Sequence, residues 1–297
     1  MDCISFDKNK WFVETPFPGI RRCKRDIFFI EKKILKKRTK FQDVFIFSTP
    51  GFGKILALDG IIQFSQLDEP IYHETMAHTA LLTHPAPKKI LIIGGGDGGV
   101  LREACRHKNL KTIHMVEIDK EIPLLCQRFL PFVCQNAFKD KRLDLFYEDG
   151  AAFARKNPDS YDIIFVDSTD PVGPGKALFE FPFYRDVYQA LKNDGLAIFQ
   201  AGPFLDIQSS LKESVHSLTK LFKYVLLLRL PMPSYSCGCE YCFILASKRY
   251  HPVINESILS QRLKMRVKNF SRLKYYTPSI HLASFSIPAI WQMQKPK

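Results

Sequence analysis

Lys89-Ile-Leu-Ile-Ile-Gly-Gly-Gly-Asp-Gly-Gly-Val-Leu-Arg-Glu103 is the segment from which the rest of the chain can be read. Four apolar residues run into five glycines, and a helix-forming segment follows directly. A strand that ends in a glycine turn and feeds a helix N-terminus is the first step of a nucleoside-binding crevice. Asp97 is the unusual member. A pyrophosphate loop offers backbone N–H groups and a positive helix end to an anion, and a carboxylate placed there repels that anion. The motif therefore leans toward a nucleoside carrying positive charge and away from a dinucleotide.

Downstream of this segment, strand and helix patterns alternate. Candidate strands are Lys89–Gly94, Thr112–Ile118, Leu143–Tyr147, Asp162–Asp167, Leu196–Gln200, Tyr224–Leu230 and Phe243–Ala246, with helical stretches such as Lys120–Leu130 and Phe183–Leu191 between the earlier ones. The alternation predicts an α/β fold with a mostly parallel, Rossmann-like sheet and helices on both faces. Upstream, residues 10–66 read as β-rich, with Asp26–Ile30, Asp43–Ser48, Lys54–Leu58 and Ile61–Phe64 separated by the turn signals Pro50-Gly-Phe-Gly53 and Asp59-Gly60. They predict a small antiparallel meander. A helix over Tyr72–Thr83 is stopped by His84-Pro-Ala-Pro87. The expected division is an N-terminal β domain over 1–70 and a catalytic domain over 71–297.

Composition narrows the class. The 297 residues are 46% hydrophobic, enough for a large core, and no apolar run approaches a membrane span. Met1–Lys8 has no charged-then-apolar signal pattern, so a cytosolic protein is expected. The eight cysteines form no disulfide framework, and Cys237/Cys239/Cys242 lack the paired spacings of a zinc site, so no metal is expected. The net charge of +13 invites a nucleic-acid reading, but the charge is unevenly placed. Residues 20–40 carry ten Lys/Arg against two acids, and residues 257–297 carry eight against none, whereas 41–206 carry 17 against 22. Basic ends of this kind read as solvated faces around an acidic middle.

That acidic middle is concentrated at strand ends, where ligands of a parallel α/β sheet gather. Asp97 lies in the first turn. Glu117 and Asp119 end the second strand about 20 residues after the glycines, where a side chain meets ribose hydroxyls. Glu148-Asp149-Gly150 follows the third, and Asp167-Ser-Thr-Asp170-Pro-Val-Gly-Pro174 the fourth. A single acid at such a place is ordinary helix capping. Four in succession around one crevice argue for a cationic ligand.

With these residues in view, the chain resembles the spermidine synthase family of polyamine aminopropyltransferases over nearly its whole length. The resemblance rests on Gln42-Asp, Leu58-Asp-Gly-Ile-Ile-Gln63, Asp68-Glu, Tyr72-His-Glu74, Gly94–Glu103, Val116-Glu-Ile-Asp119, Asp149-Gly150, Asp167–Pro174, Pro233-Ser-Tyr235, Leu273–Tyr276 and Ile280–Phe285. Tyr-His-Glu, in place of Tyr-Gln-Glu, resembles the bacterial branch. The resemblance implies a methyltransferase-type Rossmann-like fold, decarboxylated S-adenosylmethionine as donor and putrescine as acceptor. It implies no separate cofactor, no nucleic acid or membrane partner, and a homodimer or homotetramer. It places Glu117 at the ribose hydroxyls, Asp149 and Gly150 at the adenine, and Gln42 and Pro174 along the nucleoside pocket. Asp97 and Asp170 anchor the donor's amine, Asp167 with Tyr72 performs acid–base chemistry at the acceptor nitrogen, and His73 and Tyr235 position the polyamine. The loop Ser236–Cys242 is one residue longer than the family's usual turn, at the acceptor end.

The implied chemistry suits these residue types. An alkylammonium with a pKa near 10.4 has a lone pair in roughly one molecule per thousand at neutral pH. A shielded carboxylate can remove that proton as nitrogen attacks the methylene beside the sulfonium. Two other functions use fewer of the residues. A diamine N-methyltransferase on the same scaffold would use intact S-adenosylmethionine, whose carboxylate Asp97 repels. A nucleic-acid-binding module built on the basic ends leaves the acidic strand ends without a role.

Overall fold

The computed structural model describes residues 7, 9–15, 26–168, 177–204, 210–235 and 240–288. The expected parallel strands form at β7 (Lys89–Gly94), β8 (Thr112–Val116), β9 (Leu143–Phe146), β10 (Tyr161–Asp167), β11 (Leu191–Pro203) and β12 (Tyr224–Pro231), with β13 (Glu240–Ser247) inserted antiparallel. The order across the seven-stranded sheet is β12-β13-β11-β10-β7-β8-β9. Ile90–Ile93 and Tyr161–Val166 are buried throughout, as central strands covered on both faces must be. One face packs on α1 (Glu69–Thr83) and α2 (Gly99–Cys105), through Met76, Leu81, Val100, Ile92 and Phe165. The other packs on α5 (Gly150–Lys156), α6 (Phe181–Ala190) and α7 (Ser210–Thr219), through Phe153, Tyr184, Leu218, Leu91 and Ile164.

Because β7 is flanked by β10 on one side and β8 on the other, the chain reverses its direction of travel across the sheet here. Such a reversal opens a crevice beyond the strands' carboxyl ends. Gly94 closes the geometry: its φ is +79°, and a Cβ there would lie 2.3 Å from the Asp167 carbonyl oxygen. Gly95 N–H donates to that same carbonyl at 2.8 Å. The end of β10 is thereby fastened to the glycine turn.

Upstream, β3 (Lys32–Arg38), β4 (Asp43–Thr49), β5 (Gly53–Leu58) and β6 (Ile61–Ser65) form the antiparallel meander. β1 (Trp11–Val13) and β2 (Ile27–Phe29) pair as a separate two-stranded sheet, so Asp26–Ile30 does not belong to the meander. β3 is absent from the sequence reading because its Lys-Lys-Ile-Leu-Lys-Lys-Arg sequence carries charges where an alternating strand has apolar residues. It is an edge strand, and edge lysines discourage pairing with other chains. The meander rests on α3 (Glu121–Phe129) and α4 (Pro131–Cys134) through Val44, Ile46, Leu56, Phe64, Ile122, Cys126 and Val133.

Part of the basic C-terminal region is structural. On α8 (Glu256–Arg266), Arg262 donates to the Leu82 and Thr83 carbonyls at 2.6 and 2.9 Å, and Arg266 to His84 at 2.9 Å and to Pro85. These guanidinium groups satisfy the carbonyls at and just beyond the C-terminal end of α1, so the expectation of a purely solvated face is corrected there. Cys242 is buried within β13, and burial pushes its thiol well above the ordinary range. Cys237 and Cys239 lie outside the described residues. No helix among the described residues is long and apolar enough to cross a membrane.

Candidate active site

A single cavity collects most of the acidic strand ends. Asp97, Glu117, Asp149 and Asp167 all line it, together with Gln42, Tyr72, His73, Gly150 and Tyr235. The meander contributes Leu56, Leu58 and Ile62 to its apolar wall. Asp170 and Pro174 lie outside the described residues. Glu148 is not at the cavity and pairs instead with Lys156 at 3.0 Å.

Each side chain is placed by its element. Asp167 ends β10, and its Oδ1 accepts from the Tyr72 hydroxyl at 2.7 Å. Its Oδ2 is shielded from solvent and has no hydrogen-bond partner among the described residues. Burial, and then the neighbouring Asp97 carboxylate, push Asp167 up to about 7, with His73 acting in the opposite sense. Burial and the Asp167 charge hold Tyr72 as a phenol far above its usual range. The Tyr72 ring packs edge-on against Phe243 and His73, with centroids at 4.8 and 5.3 Å. A carboxyl group titrating near neutrality beside a fixed hydroxyl is equipped to take or give a proton.

Asp97 occupies the glycine turn itself. Its Oδ1 accepts from Gly99 N–H at 2.6 Å and lies 3.4 Å from His73 Nε2. On the opposite side of that ring, His73 Nδ1 is 2.8 Å from Glu69 Oε2. Burial alone disfavours the imidazolium, yet the carboxylates of Asp97 and Glu69 override it and push His73 up to about 10.

The part of the cavity around Glu117 is built differently. Glu117 packs on the turn so closely that a Cβ at Gly96 would lie 2.7 Å from its Oε2. Burial raises Glu117 to about 7 although the Asp119 N–H, at 2.9 Å from Oε1, favours its charge. Gln42 donates to Asp119 Oδ2 at 3.2 Å, tying the meander to the end of β8. Asp149 is an N-cap: its Oδ1 accepts from Ala152 N–H at 2.7 Å. The ordinary capping role and a place on the cavity wall thus coexist in one residue. The Tyr235 hydroxyl donates to the Gln63 carbonyl, and its ring lies 4.8 Å from that of Tyr241.

Several motif residues serve the scaffold. Glu74 points away from the cavity and accepts from the backbone N–H groups of Lys274, Tyr275 and Tyr276, each at 2.8 Å. Asp68 accepts from Ser65 Oγ at 2.6 Å and from Ser234 N–H at 2.7 Å, joining the end of β6 to the Pro233-Ser-Tyr235 loop. Sequence reasoning misses Glu69 and Arg102 as members of the site's support. The available signal is the spacing of Glu69 and His73, four apart on one helix and so on one face. Nothing in the sequence brings Arg102 to them.

Residues 69–257 match the family model of the spermine/spermidine synthase domain, and residues 10–66 that of the spermidine synthase tetramerisation domain. The chain belongs to the spermine/spermidine synthase family. It is 39% identical over 284 residues to the polyamine aminopropyltransferase of Caldicellulosiruptor saccharolyticus, covering 95% of this chain and 96% of that protein. It is 38% identical over 280 residues to that of Erwinia tasmaniensis, covering 94% and 96%. Among solved structures it is similar to a spermidine synthase in complex with the transition-state analogue AdoDATO, with TM-score 0.88, 29% identity and coverage of 99% and 97%. The spermidine synthase of Thermotoga maritima gives TM-score 0.85 at 28% identity, covering 99% and 96%. This family member is a transferase with a methyltransferase-type sheet, as its strand order requires.

Proposed function

We propose that this protein is a spermidine synthase, transferring the aminopropyl group of decarboxylated S-adenosylmethionine to putrescine and releasing 5'-methylthioadenosine. The observation that carries the reading is Asp167: a shielded carboxyl group with Oδ1 held by Tyr72 and Oδ2 without a partner among the described residues, on the wall of the cavity that Asp97 and Glu117 also line. The same aminopropyl chemistry is that of the relatives named above, and a structural neighbour carries a transition-state analogue.

In this mechanism Glu117 accepts from the ribose hydroxyls, while Asp149, Gly150 and Gln42 shape the adenine end, with Asp170 and Pro174 assigned by the family resemblance alone. Asp97 binds the donor's ammonium. An intact methyl donor would bring a carboxylate to that oxygen and be repelled. His73 and Tyr235 flank the acceptor. Asp167, in its ionised form, accepts the acceptor's ammonium proton as the nitrogen lone pair attacks the methylene next to sulfur. The carbon–sulfur bond breaks, its electron pair neutralises the sulfonium, and a thioether leaves. Fixing nitrogen, carbon and sulfur in line supplies much of the acceleration.

Asp167→Asn should lower kcat by about 10²- to 10⁴-fold with donor binding retained, the usual range for a lost acid–base group. Near-normal turnover in product analysis with the decarboxylated donor would refute the role. Formation of N-methylputrescine from the intact donor, with no spermidine from the decarboxylated one, would refute the function. The N-terminal family match supports a homo-oligomer, a dimer or tetramer. The four described cysteines are unpaired thiols, in keeping with a reducing cytoplasm.

A further inference from the structure

The charge that begins at Asp97 continues inward, away from the cavity. Arg102 of α2 donates to both oxygens of Glu69, at 3.0 and 2.9 Å, to Glu103 at 2.6 Å and to the Val133 carbonyl at 2.8 Å. Glu103 is held in turn by Arg106 at 2.8 Å and His78 at 3.1 Å. From the turn inward the groups run Asp97, His73, Glu69, Arg102, Glu103, and the carboxylates alternate with nitrogen bases. Glu69, His73 and Glu103 are at most 2% exposed. The ring also packs directly on the start of α2, since a Cβ at Gly99 would lie 2.4 Å from His73 ring atoms.

We infer that Glu69, clamped by Arg102, is a positioning residue that holds His73 as a fixed imidazolium opposite Asp97, so that the acidic slot contains one built-in cation. The inference rests on the aminopropyltransferase reading for its consequence and on geometry for its existence. Arginine does not deprotonate in proteins, so the bidentate clamp keeps Glu69 ionised. The groups facing His73 are Glu69 and Tyr72 from α1, Asp97 from the glycine turn and Asp167 from β10, with Arg102 reaching it only through Glu69. The meander adds only the Phe64 ring, at 6.0 Å. Carboxylates on both nitrogens favour the doubly protonated ring.

The built-in cation serves Asp167. Asp97 disfavours ionisation of Asp167, and His73 favours it. An acceptor proton can be taken only by the ionised form, so a permanent imidazolium beside Asp97 widens the pH range over which the base is ready. Among the described residues both polar contacts of the Asp97 carboxylate fall on Oδ1, which leaves Oδ2 for the donor's ammonium.

The test combines histidine ¹⁵N NMR with pH profiles of kcat/KM for wild type, Glu69→Gln, His73→Gln and the double variant. In the wild type, His73 should remain doubly protonated from pH 6 to about 9. In Glu69→Gln it should titrate within that window, and a matching break should appear in kcat/KM that the double variant lacks. In His73→Gln the acid limb should move up by about one pH unit, so that kcat/KM at pH 6, taken relative to that variant's own plateau at pH 9, falls about tenfold. A neutral His73 in the wild type at pH 8, an unchanged titration in Glu69→Gln, or an unmoved limb in His73→Gln would overturn the inference. If Glu69→Gln does not fold, the limb of His73→Gln decides. Absence of aminopropyl transfer by the wild type would instead refute the function, with the NMR titration still deciding the role of Glu69.

Discussion

Asp167 has a carboxyl group that sits in a place unfavourable to its charge, and two consequences follow from the sign of that effect. In the proposed mechanism the ionised form is the reactive one, so kcat/KM, which reports the free enzyme, should rise with pH through a break near 7. Asp167→Asn should remove that break and leave only the rise due to the acceptor amine, which loses its proton near pH 10. A break near 7 that survives the substitution would assign it to another group, such as Glu117. Stability runs the other way. A folded-state value above the unfolded one contributes stability that is complete below about pH 4 and is lost as pH rises through about 7. Asp167→Asn should therefore raise Tm at pH 8 and have little effect at pH 4, as a scan at both values would show. The identities of Asp97, Glu117 and Asp167 as acids at strand ends are legible from sequence. Their titration is not, because it depends on shielding and on neighbours far away in the chain.

Helix α1 shows how one element serves both site and scaffold. Within six residues, Glu69 faces Arg102, Tyr72 faces Asp167, His73 faces Asp97, and Glu74 leaves that side to receive the segment Lys274–Tyr276. Successive positions at 100° intervals necessarily reach different neighbours. Glu74→Ala would leave three backbone N–H groups without their acceptor, and denaturant unfolding should show a loss of about 3 kcal/mol with donor contacts intact. A loss below about 0.5 kcal/mol would show that water replaces the carboxylate. In sequence, Tyr72-His-Glu74 looks like one functional motif. Only packing divides it into two residues that line the cavity and one that holds the C-terminal segment. The same holds for β3, whose lysines conceal a strand until its pairing with β4 is seen.

Over the whole molecule, the unequal charge distribution has a structural logic. The acidic middle forms the slot, the N-terminal basic residues include an exposed edge strand, and Arg262 and Arg266 serve the end of α1. Sedimentation equilibrium should give a mass that is a multiple of the 34.3 kDa chain, and a monomer at micromolar concentration would contradict the proposed assembly. Local periodicity and turn chemistry are enough to give the α/β class, the glycine turn, the places of most strands along the chain and the acids at their ends. The tertiary structure alone decided which acids share a cavity, that Gly94 brings Asp167 against the turn, and that Glu69 and Arg102 stand behind His73. Those relations join residues up to about a hundred positions apart, and only the closing of the sheet brings them within hydrogen-bond reach. Asp97 was visible as a misplaced carboxylate, but its partners were not.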